Sequence, residues 1–144
     1  NESVSIGGGS GGGATLPDDA LIGLLDAHPE RLRGGAARVG THLAINHAMG
    51  MLNMRTVIRA VQGSGPGPEG NITKLVLSEQ GHEATAITSE LVGSDTAFLE
   101  GAGAMAGGLV LWHRAMSIAG GTSEIKRNQI GERILGLPRD PLLK

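Results

Sequence analysis

The chain has 144 residues, a formal net charge of −2 and a hydrophobic content of 40%. That length suits one domain with a buried core, and the apolar content excludes a disordered polar tail. The slightly acidic balance argues against nucleic acid as a partner, and the absence of cysteine excludes disulfides and thiolate chemistry. A reducing, cytoplasmic location is therefore expected.

The start of the chain carries no targeting pattern. The first residues lack the basic and then apolar segments of a secretory signal, and no apolar run approaches the ~20 residues of a membrane-spanning helix. The chain begins at Asn1 rather than at methionine, so we interpret it as a fragment. Residues 6–13 are almost all glycine. They are either a flexible linker or a loop that follows a short first helix.

Helical patterns follow in order. A short helix is expected at residues 18–27, because Asp18 after Pro17 is a favourable start. The next segment has apolar residues at spacings that keep one face of a helix of roughly 25 residues apolar. These residues are Val39, Leu43, Met51, Met54, Ile58 and Val61. The prolines and glycines of residues 63–70 then end this helix.

Three further helices are expected in the second half of the chain. Asn71 is expected to cap one that runs to about Leu91, with inward residues Ile72, Leu75, Val76, Ala84, Ile87 and Leu91. The next is indicated by the spacing of Met105, Leu109, Trp112 and Met116. The last is expected from about Ser123 to Leu135, opened by Thr122 or Ser123 with Glu124 in its first turn, and closed by Gly136 and Pro138.

These patterns predict the fold class. No segment alternates with period two for long, so strands are not expected. Long helices with one apolar stripe each, joined by short breaks, predict an all-α antiparallel, up-and-down helical bundle over residues 1–144. Phe98 and Trp112 are the aromatic residues, so the core must be aliphatic.

The most informative stretch is residues 119–139, which read Ala-Gly-Gly-Thr-Ser-Glu-Ile-Lys-Arg-Asn-Gln-Ile-Gly-Glu-Arg-Ile-Leu-Gly-Leu-Pro-Arg. A glycine turn leads into a helix N-terminus, where free N–H groups and the positive end of the helix dipole suit a phosphate or an oxyanion. Gly120 and Gly121 would let a ligand approach the backbone closely. An ordinary N-cap without a ligand explains the same residues.

This stretch resembles the C-terminal end of acyl-CoA dehydrogenases, in which a Gly-Gly-Thr-Ser-Glu-Ile turn leads into the last helix. Weaker resemblance covers residues 74–79, and residues 1–6 resemble the start of the first helix of the family's C-terminal domain. Residues 112–114, Trp-His-Arg, resemble a bacterial branch that includes steroid- and fatty-acid-degrading members. The resemblance implies a C-terminal helical domain from which the N-terminal helical domain and the middle β-domain are absent.

The resemblance also implies a chemistry. In the family a glutamate removes the α-proton of an acyl-CoA thioester, and the β-hydrogen leaves as hydride to the flavin of FAD. Many members carry that glutamate just before Gly-Thr-Ser, where this chain has Gly120. Others carry it in the first helix, at the position of Glu2, which makes Glu2 the catalytic candidate. An exposed glutamate near a chain end is the other interpretation of Glu2.

Further site residues and partners follow from the resemblance. Residues matching Thr122, Ser123 and Glu124 contact FAD in the family, often across a subunit interface, and the residue matching Gly121 lies near the substrate. The resemblance also implies electron-transfer flavoprotein as acceptor and a dimer or tetramer of like or unlike subunits.

The chain departs from the family pattern in two places. The Arg-x-Phe-Gly segment that binds the flavin pyrophosphate is missing near residues 30–40, and Ser-Glu-Leu-Val-Gly-Ser-Asp at residues 89–95 replaces the usual Gln-x-x-Gly-Gly-x-Gly. Both departures favour a rival function, a non-catalytic partner subunit that supplies one wall of a neighbour's FAD site. A plain oligomerisation module would leave the Gly-Gly-Thr-Ser-Glu turn unexplained.

The histidines are weak candidates for chemistry, and no metal site is expected. His42 and His47 do not have the spacing of a helical metal pair, and His82 lacks the second histidine of a zinc-protease motif. Core or surface packing is expected for the first two, and an interface or surface position for His113. Residues 31–33, Arg-Leu-Arg, are expected to form a solvated face.

Overall fold

The computed structural model describes residues 17–64, 67 and 69–139. The α-helices there are α1 (Asp18–Ala27), α2 (Gly35–Val61), α3 (Glu69–Val92), α4 (Ala104–Ile118) and α5 (Ser123–Arg133). Short 3₁₀ turns at Pro29–Arg31, Gly93–Ala97 and Gly101–Gly103 complete the connections between α1 and α2 and between α3 and α4. No strand occurs in these ranges, and the all-α prediction is confirmed. None of the described helices is both long and apolar enough to cross a bilayer.

Helix α3 is the central element and packs against α1, α2, α4 and α5. Arg38 near the start of α2 bonds Glu83 and Glu90 in the second half of α3. Lys74 near the start of α3 donates from Nζ to the carbonyl oxygen of Met116 near the end of α4. Helices α2 and α4 therefore both run antiparallel to α3, as a bundle requires.

The aliphatic core lies near the end of α3. The buried side chains that form it are Leu21, Leu32, Val39, Ile87, Leu91 and Leu109. Ile87 and Leu91 have 0% exposed surface. Full burial of such a side chain contributes about 1.5–3 kcal/mol, so this cluster fixes α1 and the first half of α2 against α3.

The second half of α2 does not face the core. Val39 and Met49 are buried, but Met51, Met54, Ile58 and Val61 are 48% to 82% exposed. Helix α2 is 27 residues long, and the described core reaches only its first half. The apolar stripe that predicted α2 is therefore uncovered over its second half in the described part of the chain.

The apolar residues whose spacing predicted α4 do not all face the core. Met105 and Trp112 are 62% and 54% exposed, whereas Leu109 and His113 are buried. The expectation that His113 lies at an interface or surface is therefore wrong. A Cβ added to Gly107 would lie 2.8 Å from the carbonyl oxygen of Phe98. This close backbone approach requires glycine at this position, because even a Cβ atom would be too close to that oxygen.

Two local expectations also change. Helix α3 begins at Glu69, so Asn71 lies in its first turn instead of capping it. Helix α5 ends at Arg133, slightly before the expected Leu135. Arg31 and Arg33 are exposed, as expected of a solvated face, with side chains 42% and 91% exposed, and Nη1 of Arg31 also donates to the carbonyl oxygen of Leu91 at 3.1 Å.

Neighbouring glycines in α4 provide a matched test of the close approach. We expect Gly107→Ala to destabilise the fold by about 1–3 kcal/mol, because its methyl group would meet the backbone of the segment before α4. Gly108 has nothing within 4 Å of an added Cβ, so Gly108→Ala should stabilise the helix by about 0.5–1 kcal/mol. Urea unfolding of both variants measures the difference, and equal free energies of unfolding would contradict this packing.

Candidate functional site

The candidate site is the turn that joins α4 to α5. Gly120 and Gly121 have φ of 72° and 103°, in the left-handed region that residues with a Cβ rarely adopt. The N–H of Gly121 donates to the carbonyl oxygen of Ile118 at 3.1 Å and closes the turn. Two consecutive glycines therefore let α4 stop at Ile118 and α5 begin at Ser123.

Thr122 caps α5, as the sequence predicted. Its backbone is extended and its side-chain oxygen accepts from the N–H of Ile125 at 3.5 Å. Its carbonyl oxygen accepts from the N–H of Lys126 at 3.0 Å. The N–H groups of Ser123 and Glu124 have no intrahelical acceptor at this helix end.

The carboxylate of Glu124 places a negative charge at the same end of α5. Hydrogen bonds from its own backbone N–H and from the Thr122 hydroxyl hold the pKa of the Glu124 carboxyl below its usual value. The side chain is exposed and ionised at neutral pH. It therefore lies where a negative charge is favourable and remains accessible to a partner.

Two lysines from different helices flank the glycines. A Cβ on Gly120 would lie 3.8 Å from Cε of Lys74, and a Cβ on Gly121 would lie 3.4 Å from Cε of Lys126. Lys126 donates from Nζ to Oδ1 of Asn71 at 3.5 Å. Burial, and then the charge of Lys126, lower the pKa of Lys74. Both lysines lie in stretches that resemble the family, but only the fold brings them together.

The structure places four of the five candidate residues in one turn. Gly121, Thr122 and Ser123 are partly exposed and Glu124 is exposed. Glu2 lies outside the described residues, as do residues 6–13.

Two grooves of the described structure lie away from the turn, whose residues are exposed or partly exposed. An apolar groove of about 620 Å³ lies between α2 and α3, and a depression of about 250 Å³ runs along α5. Neither is lined by Gly121, Thr122, Ser123 or Glu124. Another surface would have to cover a ligand bound at this turn.

A histidine pair lies at the α3–α4 contact near the turn. The rings of His82 and His113 meet edge to face with centroids 4.6 Å apart. Nε2 of His82 lies 2.9 Å from Oγ of Ser117, and Nδ1 of His113 lies 3.0 Å from the carbonyl oxygen of Leu109. Burial, and then the charges of His113 and Arg114, lower the pKa of His82.

His42 is a second buried histidine, with 2% of its surface exposed. Nε2 of its ring lies 3.1 Å from Nδ2 of Asn46. Burial is the main cause of the lowered pKa of His42. His42 therefore packs in the interior, in agreement with the packing expectation, whereas His47 is exposed.

The lowered pKa values of His42 and His82 predict how stability depends on pH. Each histidine therefore binds a proton less readily in the fold than in the unfolded chain, where its pKa has the usual value of 6.5. Stability should decrease as the pH falls from about 7.5 to about 5.5, because the unfolded chain takes up more protons than the fold over this range. Urea unfolding across this range measures the slope, which His42→Gln and His82→Gln should reduce. His47→Gln is the control, and equal slopes in all variants would contradict the assignment.

Comparison with known proteins places these helices in a family. The family model described as "Acyl-CoA dehydrogenase, C-terminal domain" matches residues 34–135. This range contains α2 to α5 and the whole turn, whereas Glu2 and α1 lie before it. No curated protein and no solved structure matches the chain. Because the match covers most of the sequence, this chain belongs to the acyl-CoA dehydrogenase family and contains its C-terminal domain.

Proposed function

We propose that this domain is part of an FAD-dependent acyl-CoA dehydrogenase that oxidises the α,β-bond of an acyl-CoA thioester. The observation that carries the proposal is the Gly120–Gly121 turn at the capped start of α5, within the range that matches the family. FAD would supply the hydride acceptor. The proposed protein also contains an N-terminal helical domain and a middle β-domain, passes electrons to electron-transfer flavoprotein and works in the cytoplasm.

The turn has hydrogen-bond donors that suit the polar groups of a dinucleotide such as FAD. Thr122 and Ser123 have hydroxyl groups, and the N–H of Ser123 has no intrahelical acceptor. A Cβ at Gly121 would contact the side chains of Lys126 and Ile125, so glycine keeps the backbone bare between the turn and α5. We assign Thr122, Ser123 and Glu124 to FAD and Gly121 to the substrate.

The open turn supports an oligomeric enzyme. Because the described chain does not enclose the turn, a second subunit or another domain would have to exclude water from it. The second half of α2 and the outer face of α4 expose Met54, Val61, Met105 and Trp112. Exposed apolar faces of this kind are typical of protein interfaces, and they support a dimer or tetramer.

We assign the proton transfer to Glu2. Gly120 has no side chain to accept a proton, so the base has to come from another position. A carboxylate beside a buried thioester can act, because loss of water raises its pKa towards that of an effective base. In this assignment the α-proton moves to the carboxylate of Glu2 as the hydride leaves the β-carbon.

The contacts of Arg31 and Arg38 support the alternative, a non-catalytic partner subunit. Arg38 bonds both Glu83 and Glu90, and these carboxylates raise its pKa. Arg31 donates to the backbone of Leu91. Both cations are engaged within the fold, so neither replaces the missing flavin-binding arginine. In this alternative the turn would form one wall of a neighbour's FAD site.

The base assignment can be tested in the full-length protein. We expect Glu2→Gln to bind FAD and acyl-CoA normally but to slow anaerobic flavin reduction by about 10²–10⁴-fold, because the amide cannot accept the α-proton. Glu100→Gln, at an exposed position, is the control and should reduce flavin at the normal rate. Normal reduction in Glu2→Gln would remove Glu2 from the mechanism. Full-length protein that binds no FAD would favour the partner-subunit function.

The open turn also predicts how the 144-residue chain behaves alone. We expect it to retain no flavin and to show no dehydrogenase turnover, because the turn offers only one side of a binding site. The flavin content after purification, measured by absorbance, checks this expectation. Stoichiometric FAD in this chain would show that the domain encloses a complete cofactor site.

A further inference from the structure

Helix α1 covers only part of the surface along which α2 and α3 meet. Leu21 of α1 packs in the core with Ile87 and Leu91 of α3, and Arg31, shortly after α1, donates to the carbonyl oxygen of Leu91. Helix α1 therefore runs towards the end of α3. Its 10 residues extend about 15 Å, so its first residue, Asp18, lies about halfway along α3.

An apolar groove continues along the same surface beyond the start of α1. Its volume is about 620 Å³, and it is lined by Val76 of α3 and by residues of α2. The residues of α2 are Thr41, Ala44, Ile45, Ala48, Met49 and Leu52. Val76 lies in the first half of α3, which α1 does not reach. The groove is therefore the part of the α2–α3 surface that α1 leaves open in the described chain.

The chain enters α1 at the end that borders this groove. The carbonyl oxygen of Pro17 accepts from the N–H of Leu21, so residues 1–16 join the described chain at the start of α1. Residues 7–16 can span up to about 35 Å, whereas the groove extends about 17 Å along α2. Residues 1–6 can therefore reach every part of the groove.

Residues 1–6 have the chemistry that such a groove accepts. They include Val4 and Ile6, and burial of aliphatic side chains against an apolar surface is favourable. The charged side chain of residues 1–16 is Glu2, whereas α2 contains arginines and histidines but no acidic residue. A second copy that placed its own α2 here would bring like charges together. The charge of α2 therefore favours residues 1–6 as the occupant.

We propose that residues 1–6 dock in this groove. In this arrangement the side chain of Ile6 lies against Ala44 or Ala48. The match to the family covers the groove but not residues 1–6. Docking would extend the aliphatic core along α2 and hold the start of the chain against the fold. A dehydrogenase and a partner subunit would both contain this packing, so the inference holds for either function.

Cysteine pairs in the full-length protein test the docking. Residues 1–144 contain no cysteine, so Ile6→Cys combined with Ala44→Cys or with Ala48→Cys introduces the only thiols of this stretch. A disulfide forms only where the two Cβ atoms come within about 4.5 Å of each other. Under mild oxidation we expect most molecules of at least one pair to form this disulfide, which mass spectrometry of the joined peptides measures.

Two controls separate docking from chance contact. Ile6→Cys combined with Ala115→Cys places the second thiol at an exposed position of α4 and should form little disulfide. Ala48→Cys alone should give no covalent dimer, because residues 1–6 would already cover the groove. Both Ala44 and Ala48 are exposed in the described structure, so these substitutions should preserve the fold, which circular dichroism checks.

Hydrogen exchange gives a second measurement. Val4→Asp combined with Ile6→Asp should make the amides of residues 41–52 exchange about tenfold faster, because charged side chains would leave the groove and α2 would open more easily. Ser10→Asp is the matched control. It adds a charge to the same segment without removing an apolar side chain, and its amides should exchange as in wild type.

Each outcome decides the proposal. A disulfide from position 6 to α2 but not to α4, together with faster exchange in the double aspartate variant, supports the docking. Equal disulfide yields at α2 and α4 overturn it, because position 6 would then only pass over the surface. A covalent dimer of Ala48→Cys overturns it in favour of a second copy. Unchanged exchange in the double aspartate variant, or no disulfide at either alanine position, overturns it in favour of another domain or protein.

Discussion

Helix α3 packs against the other four α-helices at once, and its surface has to meet different requirements along its length. Its second half buries Ile87 and Leu91 in the aliphatic core. Its first half contributes Asn71 and Lys74 to polar contacts with α5 and α4. One helix thus both holds the core together and supports the turn, so a shift of α3 would move the candidate site.

The position of α4 connects the core to the turn. Gly107 lets the segment before α4 pack directly on its backbone, and Leu109 then enters the core. At the other end of α4, Met116 accepts a hydrogen bond from Lys74. The turn follows after Ile118, so its location is set by packing at both ends of α4 and not by the glycines alone.

The described domain offers an incomplete site, which agrees with a domain that functions within a larger assembly. The turn presents the hydroxyl groups of Thr122 and Ser123, the N–H of Ser123 and two lysines, and its residues are exposed or partly exposed. The apolar residues of the second half of α2 are also uncovered. Both features fit the proposed larger enzyme, since a surface that another domain or subunit covers has no need of polar residues or a closed pocket.

The sequence by itself determined the features that depend on near neighbours in the chain. Periodic apolar residues predicted the helices, and Thr122 after two glycines predicted the capped start of α5, because capping and left-handed backbone are local properties. Only the tertiary structure decided which helix faces are covered. It buried His113, exposed Met51 and brought Lys74 to the turn, because these outcomes depend on contacts between helices that are far apart in sequence.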